Sequence, residues 1–165
     1  MKDLILLRHA KAVAADGAPD DRARALTDRG RRDARAAGDA LREARAAADA
    51  VLVSSAARTR ETTAIALQGL GLPEPTFLDD LYLAEPEAIW AAAQAAGADR
   101  VLVVGHNPGL HELAAHLVRQ SGDRSRLARA VEEGFPTSAF AIFAIDGDVL
   151  DAAAPRFITA WGVGN

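Results

Sequence analysis

Three short runs made wholly of apolar residues, each stopping abruptly at polar or glycine-containing chain, constrain the fold of this sequence more than any other feature. Leu4-Ile5-Leu6-Leu7 ends at Arg8, Val51-Leu52-Val53 ends at Ser54-Ser55, and Val101-Leu102-Val103-Val104 ends at Gly105-His106-Asn107-Pro108. A strand with one wet face alternates apolar and polar residues, whereas an unbroken aliphatic run belongs to a strand buried on both faces, as in a parallel sheet covered by helices. Between the first two runs lies an Ala/Arg-rich stretch, about 28–47, of good helix formers with Thr27 or Asp28 as a cap. A second helix is expected over 57–67, ahead of the loop with Pro73 and Pro75, and a third over 86–96, opening on Pro86 and stopping at Gly97. A fourth begins near Gly109 and carries Leu110, Leu113, Ala114, Leu117 and Val118 at helical spacing. Residues 139–145 and 156–160 read as late strands separated by Asp146-Gly147-Asp148. Strands alternating with helices predict a three-layer α/β/α sandwich around a mostly parallel sheet, in one domain spanning 1–165.

Composition narrows the chemistry. Half of the residues are hydrophobic and a quarter charged, with no low-complexity tract, so the chain is expected to fold on its own. A formal net charge of -4 argues against broad nucleic-acid binding. The absence of cysteine removes thiol catalysis, disulfides and thiolate metal sites. The apolar run at 4–7 is too short for a signal-peptide core or a membrane span, so a cytoplasmic protein without membrane association is expected. The high ratio of Arg to Lys fits a GC-rich bacterial genome.

In open α/β sheets ligands bind beyond the carboxyl ends of the strands. Here those ends carry Arg8-His9-Ala10-Lys11, then Ser54-Ser55 leading to Arg58, then Gly105-His106-Asn107. If the strands are parallel and adjacent, the groups meet in one pocket. An imidazole can act as a nucleophile that forms a covalent intermediate, and guanidinium groups hold phosphoryl oxygens in planar, bidentate fashion. His9 is therefore the candidate nucleophile, with Arg8 and Arg58 holding the phosphoryl group. The chain around Ser55 opens the second helix, where main-chain donors attract phosphate.

These residues also carry a family resemblance. Leu7-Arg8-His9-Ala10-Lys11, the stretch Ser54-Ser55-Ala56-Ala57-Arg58-Thr59-Arg60-Glu61-Thr62, and Val104-Gly105-His106-Asn107-Pro108 together resemble the histidine phosphatase, or phosphoglycerate-mutase-like, superfamily. Leu26-Thr27-Asp28-Arg29-Gly30 resembles the segment these proteins place before their first long helix. Phe135-Pro136-Thr137-Ser138-Ala139 and the short length resemble the SixA-type phosphohistidine phosphatases. The resemblance implies a phosphoglycerate-mutase-like fold, a phosphorylated His9, phosphate binding by Arg8 and Arg58, and a transferring group held by His106. Asn107 is a candidate amide donor, Ser54 or Ser55 a candidate helix cap, Ser55 a candidate substrate contact, and Arg60 a residue one helical turn removed. The sequence departs from the commoner pattern at Ala10, where many members have glycine, and at Ala56, where many have proline.

A larger departure concerns the proton donor. Phosphomonoesterase branches carry an acidic residue in a glycine- and tryptophan-containing segment after the second helix, and here that region reads Leu78-Asp79-Asp80-Leu81-Tyr82-Leu83-Ala84-Glu85. Asp80 and Glu85 are the candidates left. An alkoxide leaving group needs protonation, whereas the imidazole of phosphohistidine can leave already protonated, so the departure favours protein phosphohistidine as substrate. A small phosphomonoester, and a non-catalytic phosphate- or partner-binding module, are the alternatives. No cofactor or metal is expected, since no carboxylate cluster stands at the strand exits. His111 and His116 lack a third ligand at metal spacing and read as surface or satisfied core residues. The arginines of the first helix read as a solvated face, with Arg22 or Arg24 as candidates for a pocket rim, and Trp90 and Trp161 read as packing residues.

Overall fold

In the computed structural model of the chain, which describes residues 1–164, the three apolar runs are adjacent strands of one six-stranded sheet. The strands are β1 (Asp3–Arg8), β2 (Ala50–Ser54), β3 (Thr76–Leu78), β4 (Arg100–Gly105), β5 (Phe140–Ala144) and β6 (Arg156–Trp161), in the spatial order β3-β2-β4-β1-β5-β6. From β3 to β1 every pairing is parallel, and β5 and β6 extend the sheet in antiparallel fashion. The helices are α1 (Asp28–Glu43), α2 (Ala57–Ala66), α3 (Pro86–Ala95), α4 (Gly109–Ser121) and α5 (Arg126–Glu133). This is the expected three-layer α/β architecture.

Alternation along β1 shows why the apolar runs are unbroken. Leu4 and Leu6 pack with Leu110, Leu113 and Leu117 of α4 on one face, whereas Ile5 and Leu7 pack with Ala37 and Leu41 of α1 on the other. Val101 and Val103 join the first layer, and Leu102 and Val104 the second. With period-two side-chain direction and a helix layer on each face, the interior positions of the central strands are closed to water. Among the described residues no helix is long and apolar enough to cross a membrane.

Element ends differ from the sequence reading where local chemistry is decisive. Thr27 caps α1, its hydroxyl accepting from the Gly30 amide at 3.0 Å, while Asp28 pairs with Arg31. The helix stops at Glu43, short of 47, because Arg45 turns to φ 54° and the Ala46 amide closes back on the Leu41 carbonyl at 2.9 Å. Two elements lie outside the expectation from sequence. β3 has three residues, two of them exposed, and α5 buries only Ala128 and Val131 behind its Ser125 cap.

Close packing of α1 on α2 depends on Gly38. A Cβ built there would stand 2.4 Å from the Ala66 carbonyl oxygen, a backbone atom of α2 that cannot swing aside. Alanine would raise helix propensity by about 1 kcal/mol, but overpacking of a rigid contact costs about 1–3 kcal/mol. The clash should therefore win: Gly38→Ala is expected to lower the urea midpoint of unfolding with little change in the slope. A midpoint equal to or above wild type would show that α1 and α2 can separate without cost.

Candidate active site

The β1–β4 register fixes the site. Arg8 lies opposite Gly105, and the pairing continues one step further, with the His9 amide donating to the Gly105 carbonyl at 3.1 Å. The next side chains to leave the sheet, His9 and His106, therefore emerge side by side, their ring centroids 5.1 Å apart. Arg58 arrives from the adjoining strand, being the second residue of the helix that follows β2. That helix start is tied down by the Thr59 hydroxyl, which donates to the Ser54 and Ala56 carbonyls, and by Thr62, whose oxygen accepts from the Ala10 amide at 2.9 Å. Thr62 thus locks the turn after His9 against α2.

His9 Nδ1 lies 2.8 Å from the Ala10 carbonyl oxygen. A carbonyl only accepts, so Nδ1 carries the proton and Nε2 keeps its lone pair. His106 Nε2 meets the Ser54 hydroxyl at 2.7 Å. Arg8 Nη1 and Asn107 Nδ2 both donate to the Phe135 carbonyl, each at 2.9 Å. Around these contacts four buried polar atoms lack a protein partner: Arg8 Nε, His106 Nδ1, Asn107 Oδ1 and Ser138 Oγ. A buried polar group without a partner costs about 1–3 kcal/mol. Their gathering around His9, whose carbonyl accepts from the Ser138 amide at 3.2 Å, marks a place able to hold a polar ligand.

Both imidazoles are neutral near pH 7. Burial, helped by the cationic Arg58, Arg8 and Arg24 and opposed by the bond to Ala10, brings the His9 pKa down to about 4. Burial likewise takes His106 to about 3, helped by His9 and Arg58 and opposed by Asp21.

The structure brings Arg8, His9, Arg58, His106 and Asn107 together. Ser55 lies at the rim, where its hydroxyl donates to Asp79 and receives Arg22 at 3.4 Å. Arg22 reaches the rim with its guanidinium 4.2 Å from the centre of the Tyr82 ring, and Arg24 lies close enough to depress His9. Arg60 turns outward onto the Phe77 ring, at 3.9 Å. Asp80 and Glu85 are exposed, and the carboxylate that joins the group is one the sequence reading passed over, Asp21. Its Oδ2 receives Arg58 Nη2 at 3.0 Å and the Tyr82 hydroxyl, its Oδ1 receives Arg24 Nη1 at 2.7 Å, and its carbonyl receives Arg58 Nη1 at 2.6 Å. The Tyr82 hydroxyl, Arg24 and Arg58 hold this carboxyl far below the usual carboxylate range. Tyr82 also presents its ring edge-on to His106 at 5.5 Å. In sequence Asp21 was one of several charges in a polar loop, and Tyr82 had no periodic neighbour to give it away.

The remaining histidines and tryptophans are structural. His111 binds the Val131 carbonyl at 3.0 Å, joining α4 to α5, and His116 faces Asp151. Trp90 is buried with its indole N–H on the Asp148 carbonyl, and Trp161 stacks on Phe140. Among the described residues no three His, Asp or Glu side chains converge as a set of metal ligands.

Comparison with known proteins shows which family this fold and sequence match. A sequence profile of the histidine phosphatase superfamily (branch 1) matches residues 4–82. The protein Rv1276c of Mycobacterium tuberculosis is 37% identical over 147 residues, covering 88% of this chain and 90% of that protein. Among solved structures, a proposed phosphohistidine phosphatase SixA from Nakamurella multipartitia superposes with a TM-score of 0.83 at 34% identity, over 99% of this chain and 97% of that one. The protein histidine phosphatase SixA in complex with tungstate superposes with a TM-score of 0.75 at 26% identity, over 96% and 95% of the two chains. With 34% identity to the Nakamurella multipartitia structure over nearly the whole of both chains, and the profile match over residues 4–82, the chain belongs to the histidine phosphatase superfamily.

Proposed function

We propose that this chain removes phosphate from protein phosphohistidine through a covalent intermediate on His9. The observation that carries the reading is the state of His9: a neutral imidazole, its Nδ1 proton fixed on the Ala10 carbonyl, its Nε2 lone pair free, and cationic Arg8 and Arg58 beside it. In the first step Nε2 attacks phosphorus as the bond to the substrate's imidazole nitrogen breaks. That electron pair returns to the leaving ring, which already carries a proton on its other nitrogen. Water then attacks the phosphorylated His9, the pair of the P–Nε2 bond returns to the ring, and the water's protons leave with the phosphate. The Nδ1–H bond to Ala10 is kept throughout, so His9 ends as it began.

Arg8 and Arg58 oppose the charge spread over the phosphoryl oxygens. With the Ser54 hydroxyl donating to His106 Nε2, the unpartnered Nδ1 is left as a donor to the same group. Asn107 shares the Phe135 carbonyl with Arg8 and steadies it, and Ser55 acts at the rim. The three strand ends supply positive charge and donors where a metal would otherwise serve, so the reaction is metal-independent. The tungstate bound by the SixA neighbour is a phosphate-like oxyanion, in keeping with a site of this kind. A phosphorylated protein is the partner, and the setting is cytoplasmic, with the apolar run at residues 4–7 serving as β1.

Hydrolysis of a phosphohistidine-bearing protein should be lost in His9→Ala, together with acid-labile, base-stable label trapped on the chain. Arg58→Ala should cost on the order of 10²–10³ in rate, as for removal of a charge-stabilising donor. Wild-type activity on p-nitrophenyl phosphate, with none on phosphohistidine above the His9→Ala control, would identify a phosphomonoesterase instead. Activity should survive exhaustive EDTA treatment and be inhibited by vanadate or tungstate; loss on chelation with rescue by one metal would replace the histidine nucleophile by a metal-activated water.

The pH profile gives a separate check. Only neutral His9 attacks, and its pKa is pushed down to about 4 from the ordinary 6.5, so the active form persists below neutrality and is lost as pH falls through about 4. After correction for substrate ionisation, kcat/KM should hold its plateau well below pH 6. An acid limb centred at 6.5 would mean that His9 is solvated like a free imidazole.

A further inference from the structure

Asp21 sits on a strap, residues 20–26, that is held in place without its carboxylate. The Arg22 carbonyl accepts from the Ala57 amide at the start of α2 at 2.8 Å, Arg24 Nε donates to the Val13 carbonyl at 2.7 Å, and the Leu26 amide donates to Glu61 at 2.7 Å. The side chain of Arg58 is 4% exposed and that of Asp21 is 42% exposed, so the carboxylate caps the guanidinium at its solvent end. The charged and titratable groups facing it are Arg24 from its own strap, Arg58 from α2, Tyr82 from the segment after β3, and His106 from the end of β4.

This arrangement has a chemical consequence for what leaves. Displacement at phosphorus runs in line, so the leaving group departs on the side away from His9, and with the phosphoryl group held by Arg58 the half-exposed Asp21 carboxylate at the solvent end of that guanidinium borders the exit. A fixed anion there favours a substrate whose ring is protonated and cationic while still bonded to phosphorus, and works against one whose leaving group departs as an anion. Resting on the phosphohistidine reading above, we propose that Asp21 is a specificity-determining residue, a rim carboxylate that selects N-phosphoryl substrates with a protonated leaving ring over O-phosphate esters. The carboxylate raises the share of bound phosphoimidazole whose distal nitrogen holds a proton; the P–N pair then returns to a ring that leaves neutral. Asp21 is held too acidic by Tyr82 and the two arginines to give a proton to an alkoxide near neutral pH, so it offers an ester nothing in return.

The test compares N-phosphoimidazole and p-nitrophenyl phosphate on wild type, Asp21→Asn and Asp21→Ala, reading kcat/KM across pH 5.5–9. Asparagine keeps an oxygen to receive Arg58 and removes the charge. The ratio of the two kcat/KM values should fall on the order of 10–10²-fold in Asp21→Asn, the scale of one charge a few ångströms away in a partly wet site. The loss should grow toward alkaline pH, where phosphoimidazole is unprotonated without the carboxylate's help. Asp21→Ala should show the same shift in ratio on top of a common loss from the loosened Arg58. A ratio unchanged within about threefold, with the two substrates falling or rising together, overturns the proposal and leaves Asp21 as a holder of Arg58 or a competitor of phosphate. Wild type that prefers N-phosphoimidazole while the variants keep that preference overturns the proposal alone. Wild type that hydrolyses only p-nitrophenyl phosphate overturns the phosphohistidine reading and the proposal with it.

Discussion

The parallel pairing of β1 with β4 is the interaction on which the rest of this site depends. In that register Arg8 faces Gly105, and one further amide-to-carbonyl bond carries the ladder to His9. Two histidines far apart in sequence thereby leave the sheet at the same height. The outer partner β2 adds the start of α2, and with it Arg58, on the same edge. Each catalytic candidate is thus placed by backbone hydrogen bonds of the sheet or by the first turn of a helix, which hold position better than a loop does. The helix layers on both faces serve the same end by keeping these strands dry.

Burial also sets the chemistry of the imidazoles. Two protonated histidines 5.1 Å apart beside arginines would repel strongly, and desolvation removes the problem by keeping both neutral. For the proposed reaction this has two opposed effects. A less basic Nε2 attacks phosphorus more slowly, and the same low basicity makes the ring a better leaving group when water cleaves the phosphoenzyme. A nucleophile that must also depart is served by an intermediate basicity, and the bond from Nδ1 to the Ala10 carbonyl returns part of what burial removes.

What could be read from the sequence follows from how each signal is written. β1, β2 and β4 were legible because double burial demands aliphatic residues at every position, and His9, Arg58 and His106 because each follows such a run closely. β3 was not, since a three-residue edge strand imposes no period, and α5, although amphipathic with Ala128 and Val131 turned inward, is only eight residues long and lies within polar chain. The late strands were visible, but their antiparallel direction was not: Phe140–Ala144 alternates against the same helices as its parallel neighbours and carries the same residue types. Asp21 and Tyr82 escaped for a different reason. Their importance lies in contacts across 37 and 61 residues of chain, to Arg58 and to each other, and nothing in the local sequence encodes such a meeting.

Those contacts also make the two arginines unequal. Arg58 is buried, and a buried guanidinium without a counter-charge would cost several kcal/mol; Asp21 meets it with both a carbonyl and a carboxylate oxygen. Arg8 gives Nη1 to the neutral Phe135 carbonyl, its Nε has no partner, and burial alone bears on its charge, so no carboxylate offsets it. A phosphoryl group arriving at His9 would thus meet one arginine whose charge is already shared and one whose charge is bare. The bare one belongs to β1, next in chain to the nucleophile and held by the sheet, where a strand between two neighbours limits how far it can relax. The shared one belongs to a helix start overlaid by the strap of residues 20–26. In the proposed reaction Arg8 would therefore offer phosphate an uncompensated charge, while Arg58, held by a carboxylate that Arg24 also pairs, would contribute direction as well as charge.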